Sequence, residues 1–462
     1  MPLILGTNSI KDTGYEVANS LRFDEPSNQG LSKTPSSAGN RRTFTFSVWL
    51  KRSKISNQTG DVQHFFESRV DSNDNCGLVF NTDDTLQVKL KIGGTNAKLI
   101  TNRVFRDVSA FYNIVVAVDT TQSTNSNRNK LYINGVQETS FGTEQYPSQN
   151  ADTTFNNTVA HAIGKRTDVT TQNFDGYIAE AVMIDGSALA PTSFGEFDED
   201  SGIWKPIDVS GLTFGTNGFY LDFENSSSLG ADVSGNGNNF TVNNLTSIDQ
   251  STDTCTNNFA TLNPLVKAPS SITFSEGNLK AVHPGSWTGV PATIGVQSGK
   301  WYWECKITTG NSANAFTGIC VEDINFNDST VYDETGMITY FANGRKTVDG
   351  TETASFFSSL ATNDIVGVAL DLDSGTRTVT FTKNGSASGS AVNLTSNFDN
   401  KFIFPVGIGN SSSATANWEF NFGSPSYSIS SGNSDGNGYG NFEYAVPSGY
   451  YALNTKNLAE FG

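Results

Sequence analysis

An alternation of apolar and other residues that begins at Phe44 constrains the fold more than any other feature of the sequence. Every second side chain of this run is apolar: Phe44, Phe46, Val48 and Leu50. Because successive side chains of a strand point to opposite faces, this period of two predicts a β-strand with one face in a hydrophobic core. Apolar runs of similar length recur at 78–80, 86–92, 114–118, 131–133, 177–184, 301–307, 318–321, 338–341, 365–370, 379–382, 404–408 and 418–422.

The composition explains why the segments between these runs are not predicted to form helices. Charged residues make up only 16% of the 462, and Asn, Ser, Thr and Gly take their place. Asn, Ser and Gly compete with the helical backbone and favour turns, whereas the 32 Phe and 14 Tyr favour strands. We therefore expect an all-β chain. Its length suits about three domains of ordinary size, or two large β units with extensions.

The net charge and the lengths of the apolar runs argue against several classes of partner. The chain has 29 Lys and Arg against 46 Asp and Glu, so its formal charge is −17. This charge disfavours binding to nucleic acid or to an anionic membrane surface. The apolar runs have the length of strands, so we expect no membrane-spanning helix, and the first residues are too short and uncharged a run for a secretory signal. Four isolated cysteines are predicted to be free, mostly buried thiols: Cys76, Cys255, Cys305 and Cys320.

These patterns divide the chain into five parts. Residues 1–40 have few strand signals and many turn-forming residues, which predicts an N-terminal arm or irregular edge. Residues 41–205 and 269–425 each predict a sandwich. Between them, residues 206–268 contain two strand-like runs, Phe219–Phe223 and Phe240–Val242, which we assign to the first sandwich as closing strands followed by a linker. Residues 426–462 are predicted to be a C-terminal tail used for docking.

One pattern occurs in both halves of the chain. A buried run that ends at Asp119 is followed, after a polar loop, by a second run that ends in Asn134-Gly135, and the same order recurs from Asp371 to Asn384-Gly385. Asn-Gly tolerates positive φ at both positions and is typical of a type I′ hairpin turn. We therefore expect two tandem antiparallel β-sandwiches of jelly-roll type that share one topology.

Longer motifs resemble two known families. The second half resembles a SPRY domain through Gly299-Lys-Trp-Tyr-Trp-Glu-Cys-Lys-Ile307, the run from Asp364 to Asp373, Lys383-Asn-Gly385 and Asn421-Phe-Gly423. The first half resembles the laminin-G-like, concanavalin-A-like lectin domains through Phe46-Ser-Val-Trp49, the hairpin at Asn134 and Phe174-Asp-Gly-Tyr-Ile-Ala-Glu180. Both families are built on the concanavalin-A-like jelly-roll sandwich, so the two resemblances imply the same architecture as the repeated hairpin pattern.

The arrangement as a whole resembles large virion proteins of marine bacteriophages. The passages that carry this resemblance are 21–23 with 34–41, 232–238, 257–264 and 449–457. The resemblance implies a virion surface subunit of tail-fibre or spike type, assembled in the host cytoplasm, whose partners are other virion proteins.

Signals for catalysis are weak. The three histidines, His64, His161 and His283, are far apart, and the sequence has no zinc-ligand spacing, nucleophile elbow or phosphate-binding loop. Asp222 and Glu224 lie two apart in a strand-like run, so they are predicted to share a face, as the carboxylates of a retaining glycosidase require. We expect them to be solvated or ion-binding, and a glycoside hydrolase acting on host polysaccharide remains the enzymatic alternative.

A calcium site is predicted at one loop. Asp232, Ser234 and Asn236 precede Gly237 and repeat the first half of an oxygen-ligand loop, in which alternate residues face inward. The closing acid is absent, because the twelfth position is Asn243. The alternative is an Asx-turn that needs no metal. No other cofactor is expected.

Aromatic residues in loops are the candidates for ligand contact. Trp287 follows His283-Pro-Gly-Ser in a loop that the SPRY resemblance makes ligand-facing, where it would stack on a sugar or anchor a protein partner. Tyr340 and Arg345 flank the Asn343-Gly344 turn and are predicted to face the same side. The alternative for Trp287 is that it covers the end of the core.

These observations favour a non-enzymatic structural and adhesion protein. A rigid scaffold with polar loops suits binding to other virion subunits and to host-surface glycans. Because several weak sites in one oligomer multiply affinity, we expect a homo-oligomer, for which a trimer is our hypothesis. The alternative is a capsid decoration or assembly protein without a host ligand.

Overall fold

The computed structural model describes residues 9–55, 61–266, 272–309, 314–326, 328, 330–410 and 417–462. The chain forms two units. The N-terminal sandwich comprises residues 13–256, and the C-terminal sandwich comprises residues 257–462 together with 9–12.

The N-terminal sandwich is built from two large antiparallel sheets. Its strands are β1 (Ser20–Phe23), β2 (Gly30–Lys33), β3 (Thr43–Arg52), β4 (Gln63–Arg69), β5 (Asn75–Phe80), β6 (Thr85–Ile92), β7 (Thr95–Val104), β8 (Tyr112–Asp119), β9 (Asn129–Ile133), β10 (Val136–Gln137), β11 (Phe141–Gln145), β12 (Ala160–Ile163), β13 (Gly176–Asp185), β14 (Gly195–Phe197), β15 (Trp204–Pro206), β16 (Phe219–Leu221), β17 (Thr241–Asn243) and β18 (Gln250–Ser251). Short 3-10 helices lie at Glu25–Ser27, Asn125–Asn127, Pro191–Ser193 and Ser247–Asp249.

The strands of the N-terminal sandwich are arranged in two large sheets. Sheet I has the order β10-β9-β8-β3-β13-β1-β18, with β16 beside β13, and sheet II has the order β11-β7-β6-β5-β4-β12-β2-β17. The closing strands of the 206–268 segment thus add to both sheets, while β14 and β15 form a separate two-stranded sheet.

The core of this unit lies between the inner faces of sheets I and II. The alternating residues of β3, including Phe44 and Phe46, point into it. Phe46 stacks on Phe66 with ring centroids 4.1 Å apart, and Phe66 stacks on Phe155 at 4.8 Å. Offset aromatic stacking of this kind adds to the free energy gained from burying the rings.

The C-terminal sandwich repeats this architecture. Its strands are β19 (Thr273–Ser275), β20 (Lys280–Val282), β21 (Thr288–Pro291), β22 (Lys300–Thr309), β23 (Ala315–Val321), β24 (Met337–Phe341), β25 (Lys346–Val348), β26 (Thr351–Thr353), β27 (Ile365–Asp371), β28 (Thr378–Lys383), β29 (Ser386–Ala387), β30 (Val392–Asn393), β31 (Ile403–Gly409), β32 (Asn417–Asn421) and β33 (Tyr451–Ala452). Short 3-10 helices lie at Val331–Asp333 and Ser396–Phe398, and helix α1 spans Thr455–Phe461.

The second pair of sheets encloses a core rich in tryptophan. Sheet III has the order β19-β20-β32-β22-β27-β28-β29, with β30 beside β28 and β33 beside β22, and sheet IV has the order β21-β31-β23-β24-β25-β26. Trp301, Trp303 and Trp418 are fully buried between them. The expectation of an all-β chain with tandem sandwiches is therefore confirmed.

The repeated hairpin pattern has one structural basis in both units. Asn134 and Asn384 have φ values of 47° and 49°, and the glycines that follow them have 77° and 75°. Each Asn also binds the strand before it, since Asn134 Oδ1 accepts the N–H of Asn113 at 2.7 Å and Asn384 Oδ1 accepts the N–H of Ile365 at 2.9 Å. The side chain and the left-handed backbone together close both hairpins.

Two terminal segments differ from their sequence predictions. Residues 20–33, assigned above to an arm, contain β1 and β2, which pair with β13 and β12 inside the two sheets. In the predicted tail, β33 pairs in parallel with β22, and Ala452 and Leu453 are fully buried. Turn-rich sequence conceals these strands because each has only two to four residues.

The structure also bears on the predictions for the cysteines and for membrane-spanning helices. The four cysteines are free, and Cys76, Cys305 and Cys320 are buried as expected, while Cys255 is partly buried. Among the described residues, no helix has the length and hydrophobicity that crossing a bilayer requires.

Candidate functional site

The outer face of sheet I is covered by the chain itself. Trp49, Tyr177 and Ala179 contact Val17 and Trp204 in one apolar cluster on this face. A second cluster joins strands β8 and β13 to the segment 189–214. A polar residue of β3 on this face binds the covering segment. Thr45 Oγ1 donates to the carbonyl of Ser187 and accepts the N–H of Leu189, both at 2.8 Å. This face is therefore closed to a large ligand.

The outer faces of sheets III and IV are covered in the same way. On sheet III, Tyr302 packs against Phe259 and Phe442, and the ring centroids of Tyr302 and Phe442 are 5.1 Å apart. On sheet IV, a cluster around Phe316 and Phe341 is covered by Phe326, Val331 and Trp287.

The outer face of sheet II differs from these three faces. Within the described ranges, none of the hydrophobic clusters lies on it. The strand register gives a row of small and polar residues that crosses the sheet: Lys89, Gly77, Glu67, Ala162, Ser32 and Thr241. The middle of this row is buried, since Glu67 and Ala162 are each 1% exposed, whereas Lys89 and Thr241 at its two ends are partly or fully exposed.

A pocket of about 360 Å³ lies at one end of this row. Its floor comes from β2 and β12, with Ser32, Ala160 and Ala162, and one wall comes from Thr241 and Asn243 of β17. The opposite wall is the start of the loop after β12, with Lys165 and Thr167; Lys33 and Thr34 complete the lining. A volume of this size is at the lower end of the range for small-molecule sites.

The loop wall of the pocket is held by a buried carboxylate. Glu67 Oε2 accepts the backbone N–H of Thr167 at 2.9 Å and its hydroxyl at 3.1 Å. Asp168 in the same loop binds Arg69 at 2.8 Å and Arg166 at 2.6 Å. These contacts fix the loop over β4, between the pocket and the strands β5 to β7.

Several cations lie close together on this side of sheet II. Burial lowers the pKa of Lys89, and the neighbouring cations Arg69, Lys91 and Arg166 lower it further, against the opposing effect of Glu67. Burial lowers the pKa of His64 to about 3, and Arg166, Lys89 and Arg69 contribute in the same direction. An anion near these groups would gain from their combined positive charge.

Two of the predicted ligand-contact residues are buried. His283 is 1% exposed, its Nδ1 lies 2.8 Å from Thr288 Oγ1, and burial lowers its pKa to about 3. Tyr340 is fully buried, stacks on Phe357 at 4.3 Å between ring centroids and donates its hydroxyl to the carbonyl of Ser358. The prediction that Tyr340 faces the same side as Arg345 is wrong, because Tyr340 points into the core between sheets III and IV.

The other two predicted residues lie on the outer side of sheet IV. Trp287 is half-buried, with its ring 4.6 Å from that of Tyr332 and 5.6 Å from that of Phe316. The guanidinium of Arg345 lies 4.7 Å from the ring centroid of Phe341 and binds both carboxylate oxygens of Glu352. Both side chains thus act first in packing, and their role in ligand contact stays a prediction.

The loop predicted to bind calcium is closed by its own hydrogen bonds. Asp232 Oδ1 accepts the N–H groups of Tyr220 at 3.0 Å and Ser234 at 2.9 Å, and its Oδ2 accepts that of Asn238 at 2.7 Å. The amide of Asn236 donates outward to the carbonyls of Gly215 and Gly218. Because these oxygens are engaged by donors and Asn236 points its amide nitrogen elsewhere, the three residues do not fit a calcium ligand set and match the Asx-turn alternative.

The predicted pair of carboxylates does not share a strand face. Strand β16 ends at Leu221, and Phe223 has a left-handed φ of 61°, which reverses the chain between Asp222 and Glu224. The N–H of Glu224 donates to Asp222 Oδ1 at 3.2 Å, so the two form a turn. Their prediction as a same-face pair is therefore wrong.

A buried carboxyl that no sequence pattern singles out lies on the outer face of sheet I. Glu180 is 5% exposed and occupies the bulge of β13, with a φ of 49°. Burial raises its pKa to about 8, and Asp222 and Glu224 raise it further, whereas the hydroxyls of Tyr220 and Tyr15 oppose this shift. The cover over this face leaves Glu180 inaccessible to a substrate.

The pocket residues were also missed, although one signal pointed to their face. Lys89 and Lys91 alternate with Val88 and Leu90, and this pattern indicates a strand with one basic face. Such a face is unusual in a chain that is acidic overall. The pocket itself could not be predicted from the sequence, because its lining comes from three separate stretches of the chain.

Comparisons with known proteins identify both units. A family model described as the concanavalin A-like lectin/glucanases superfamily matches residues 26–192, and the SPRY domain model matches residues 300–425. No protein with a curated description matches the sequence.

Solved structures are similar to parts of the chain. The SPRY domain of human HERC1 is 22% identical, and the alignment covers 33% of this chain and 92% of that one, with a TM-score of 0.27. A native heptameric SAP-like pentraxin from Limulus polyphemus is 14% identical over 38% of this chain and 80% of that one, with a TM-score of 0.27. By its two family matches, the chain contains a laminin-G-like, concanavalin-A-like domain followed by a SPRY domain.

Proposed function

We propose that this protein is a non-enzymatic adhesion subunit of a bacteriophage virion surface, of tail-fibre or spike type, which binds host-surface glycans through its N-terminal sandwich. The observation that carries the proposal is the outer face of sheet II. It is polar and contains a pocket beside the loop over β4, whereas hydrophobic clusters cover the outer faces of sheets I, III and IV.

The chemistry of the pocket suits a sugar. Hydroxyl groups of Ser32, Thr34, Thr167 and Thr241 and the amide of Asn243 line it. Each hydroxyl both donates and accepts a hydrogen bond, so this set matches the hydroxyl groups of a saccharide ring. The floor belongs to two paired strands, which hold these groups in fixed positions before the ligand binds.

Two further observations support a role as an adhesion subunit of a virion. The passages that resemble marine phage virion proteins lie in both units, at 21–23, 232–238, 257–264 and 449–457. The turn at Asp222 and Glu224 and the buried position of Glu180 favour binding without hydrolysis. In this proposal the virion subunits are the other partners, and a homotrimer multiplies the weak affinity of one pocket.

A variant that fills the pocket tests the glycan site. Ala160 is exposed on the pocket floor, so Ala160→Tyr is expected to fold normally and to occlude the pocket. Val136→Tyr, at a site of sheet I that is 56% exposed, is the matched control. Retention on immobilised host-envelope polysaccharide should be lost in Ala160→Tyr and kept in Val136→Tyr. Absence of binding by the native chain, or equal binding by both variants, would overturn the site.

The virion assignment has its own test. Labelling of purified particles with an antibody against the chain should decorate a tail or spike. Decoration spread over the capsid faces, together with no affinity for the host envelope, would favour the capsid decoration alternative. Absence of the chain from the particles would refute the assignment.

A further inference from the structure

We propose that the ligand of the sheet II pocket is an acidic polysaccharide, whose carboxylate or sulfate groups are neutralised by lysines on this face. This inference rests on the proposed function and names the class of ligand of the same site.

The pocket lysines are partly buried and form no ion pair with a carboxylate in the described part of the chain. Lys33 and Lys165 both line the pocket, and burial lowers the pKa of each, although the charge of Asp232 opposes this shift at Lys33. The stem of Lys165 lies across Gly30, where a Cβ atom would be only 2.5 Å from the Lys165 Cδ. The stem of Lys165 thus lies flat on the strand. Its ammonium group forms no ion pair with a carboxylate in the described part of the chain, so an anion in the pocket would supply the counter-charge.

A second group of lysines lies farther along the same face. Lys89 and Lys98 are register partners on β6 and β7, and Lys91 follows Lys89 by two residues on the same side of β6. They alternate with Leu90 and Leu99, which point into the core. Arg69 and Arg166 lie nearby and Asp168 binds both, while Glu67 interacts electrostatically with Lys89 and Asp71 with Lys91, so the positive charge of the lysines is only partly compensated.

The two groups are separated by a distance that suits a polymer. From β2 to β6 the order of sheet II has four strand spacings, which at 4.8 Å each amount to roughly 19 Å. A single monosaccharide spans only the pocket, whereas a chain of several sugars that passes over the loop at β4 is long enough to reach both groups. A neutral chain would gain nothing from the second group, and the overall charge of −17 makes a positive face in this protein a specific feature.

Binding to three defined polymers tests the inference: polygalacturonate, which carries carboxylates, dextran sulfate, and neutral dextran. The native chain should bind both acidic polymers and not dextran, and raising the salt to about 0.5 M should weaken binding by screening. Lys33→Gln/Lys165→Gln should weaken binding at least about tenfold, and Lys89→Gln/Lys91→Gln severalfold. Lys280→Gln/Lys306→Gln removes the same charge from sheet III of the C-terminal sandwich and should change affinity by less than about twofold.

The outcomes separate this inference from the proposed function. Binding of host-envelope polysaccharide that is lost in Ala160→Tyr but unaffected by both lysine pairs would keep the glycan site and overturn the acidic ligand class. Equal losses in all three lysine variants would mean nonspecific attraction and would also overturn it. If the native chain binds neither the host polysaccharide nor the acidic polymers, the proposed function itself fails.

Discussion

Glu180 and Tyr220 form a 2.8 Å hydrogen bond on the covered face of sheet I, where the Tyr220 hydroxyl donates to Glu180 Oε2. The hydroxyl of Tyr15 lies 2.9 Å from that of Tyr220, so the carboxyl anchors the segment before β1. Burial raises the pKa of Glu180 to about 8. The folded chain therefore holds a proton that the unfolded chain releases above its ordinary pKa of about 4.5.

This linkage predicts a loss of stability as the pH rises from about 4.5 to 8. The free energy of unfolding should fall with a limiting slope of about 1.4 kcal/mol per pH unit from Glu180 alone. Asp175, whose pKa burial raises to about 7, acts in the same direction below that pH. Denaturant unfolding between pH 7 and 8 should therefore show a decrease in the native chain and a smaller one in Glu180→Gln. Parallel curves for the two proteins would contradict the assignment.

A buried ion pair in the N-terminal sandwich is expected to affect the free energy of unfolding more than an exposed ion pair does. Lys51 and Asp253 pair with side chains 1% and 2% exposed, and Lys51 Nζ lies 4.7 Å from the ring centroid of Tyr177. Asp253→Asn leaves the lysine without its counter-charge and should cost about 3–5 kcal/mol in chemical denaturation. The control is Asp152→Asn, which breaks the exposed pair with Arg42 and should cost less than about 1 kcal/mol. Similar losses in both variants would refute this ranking.

The two hairpin asparagines should be equivalent in their units. Asn134→Ala and Asn384→Ala each remove a hydrogen-bond acceptor and place alanine at a φ near 48°, with an expected loss of about 1–3 kcal/mol. Glycine at either position keeps the backbone conformation and should recover part of that loss. Unfolding curves that show no difference between alanine and glycine would mean that the left-handed backbone contributes little.

Calcium is expected to leave the Asp232 loop unchanged. Because its carboxylate already accepts three backbone N–H groups, EDTA should not shift the melting temperature of the native chain. Asp232→Ala should lower that temperature to the same extent with or without calcium. A rise with calcium in the native chain that is absent in Asp232→Ala would restore the metal hypothesis, since a ligand that binds only the folded state stabilises it.

Glu304 is expected to hold the C-terminal segment against sheet III. Its carboxylate accepts the N–H groups of Glu443 at 3.0 Å and Tyr444 at 2.8 Å, as well as the amide of Asn421 at 3.2 Å. Glu304→Gln replaces one acceptor oxygen by a donor, so limited proteolysis should cut near 443 faster than in the native chain. Glu352→Gln, at the exposed pair with Arg345, should leave the cutting rate unchanged. Equal rates in all three proteins would exclude this role.

Alternation along single strands was enough to predict the two cores, because the inner residues of β3 and of β22 keep a period of two. It was not enough to predict the outer faces. Thr45 and Ser47 alternate with the core residues of β3 but are also buried, and Tyr340 is buried beside the equally buried Phe341. Where both faces of a sheet are covered, hydrophobicity no longer distinguishes them. The pocket depends on the pairing of β12, β2 and β17, which no local pattern specifies.

The parallel pairing of β33 with β22 sets an order for folding during synthesis. Trp301 and Tyr302 are translated about 150 residues before their partners Tyr451 and Ala452. The N-terminal sandwich, whose last strand ends at Ser251, has all of its strands much earlier. While the ribosome completes the chain, Trp301 and Tyr302 of β22 therefore remain without that strand partner until the last residues have been added.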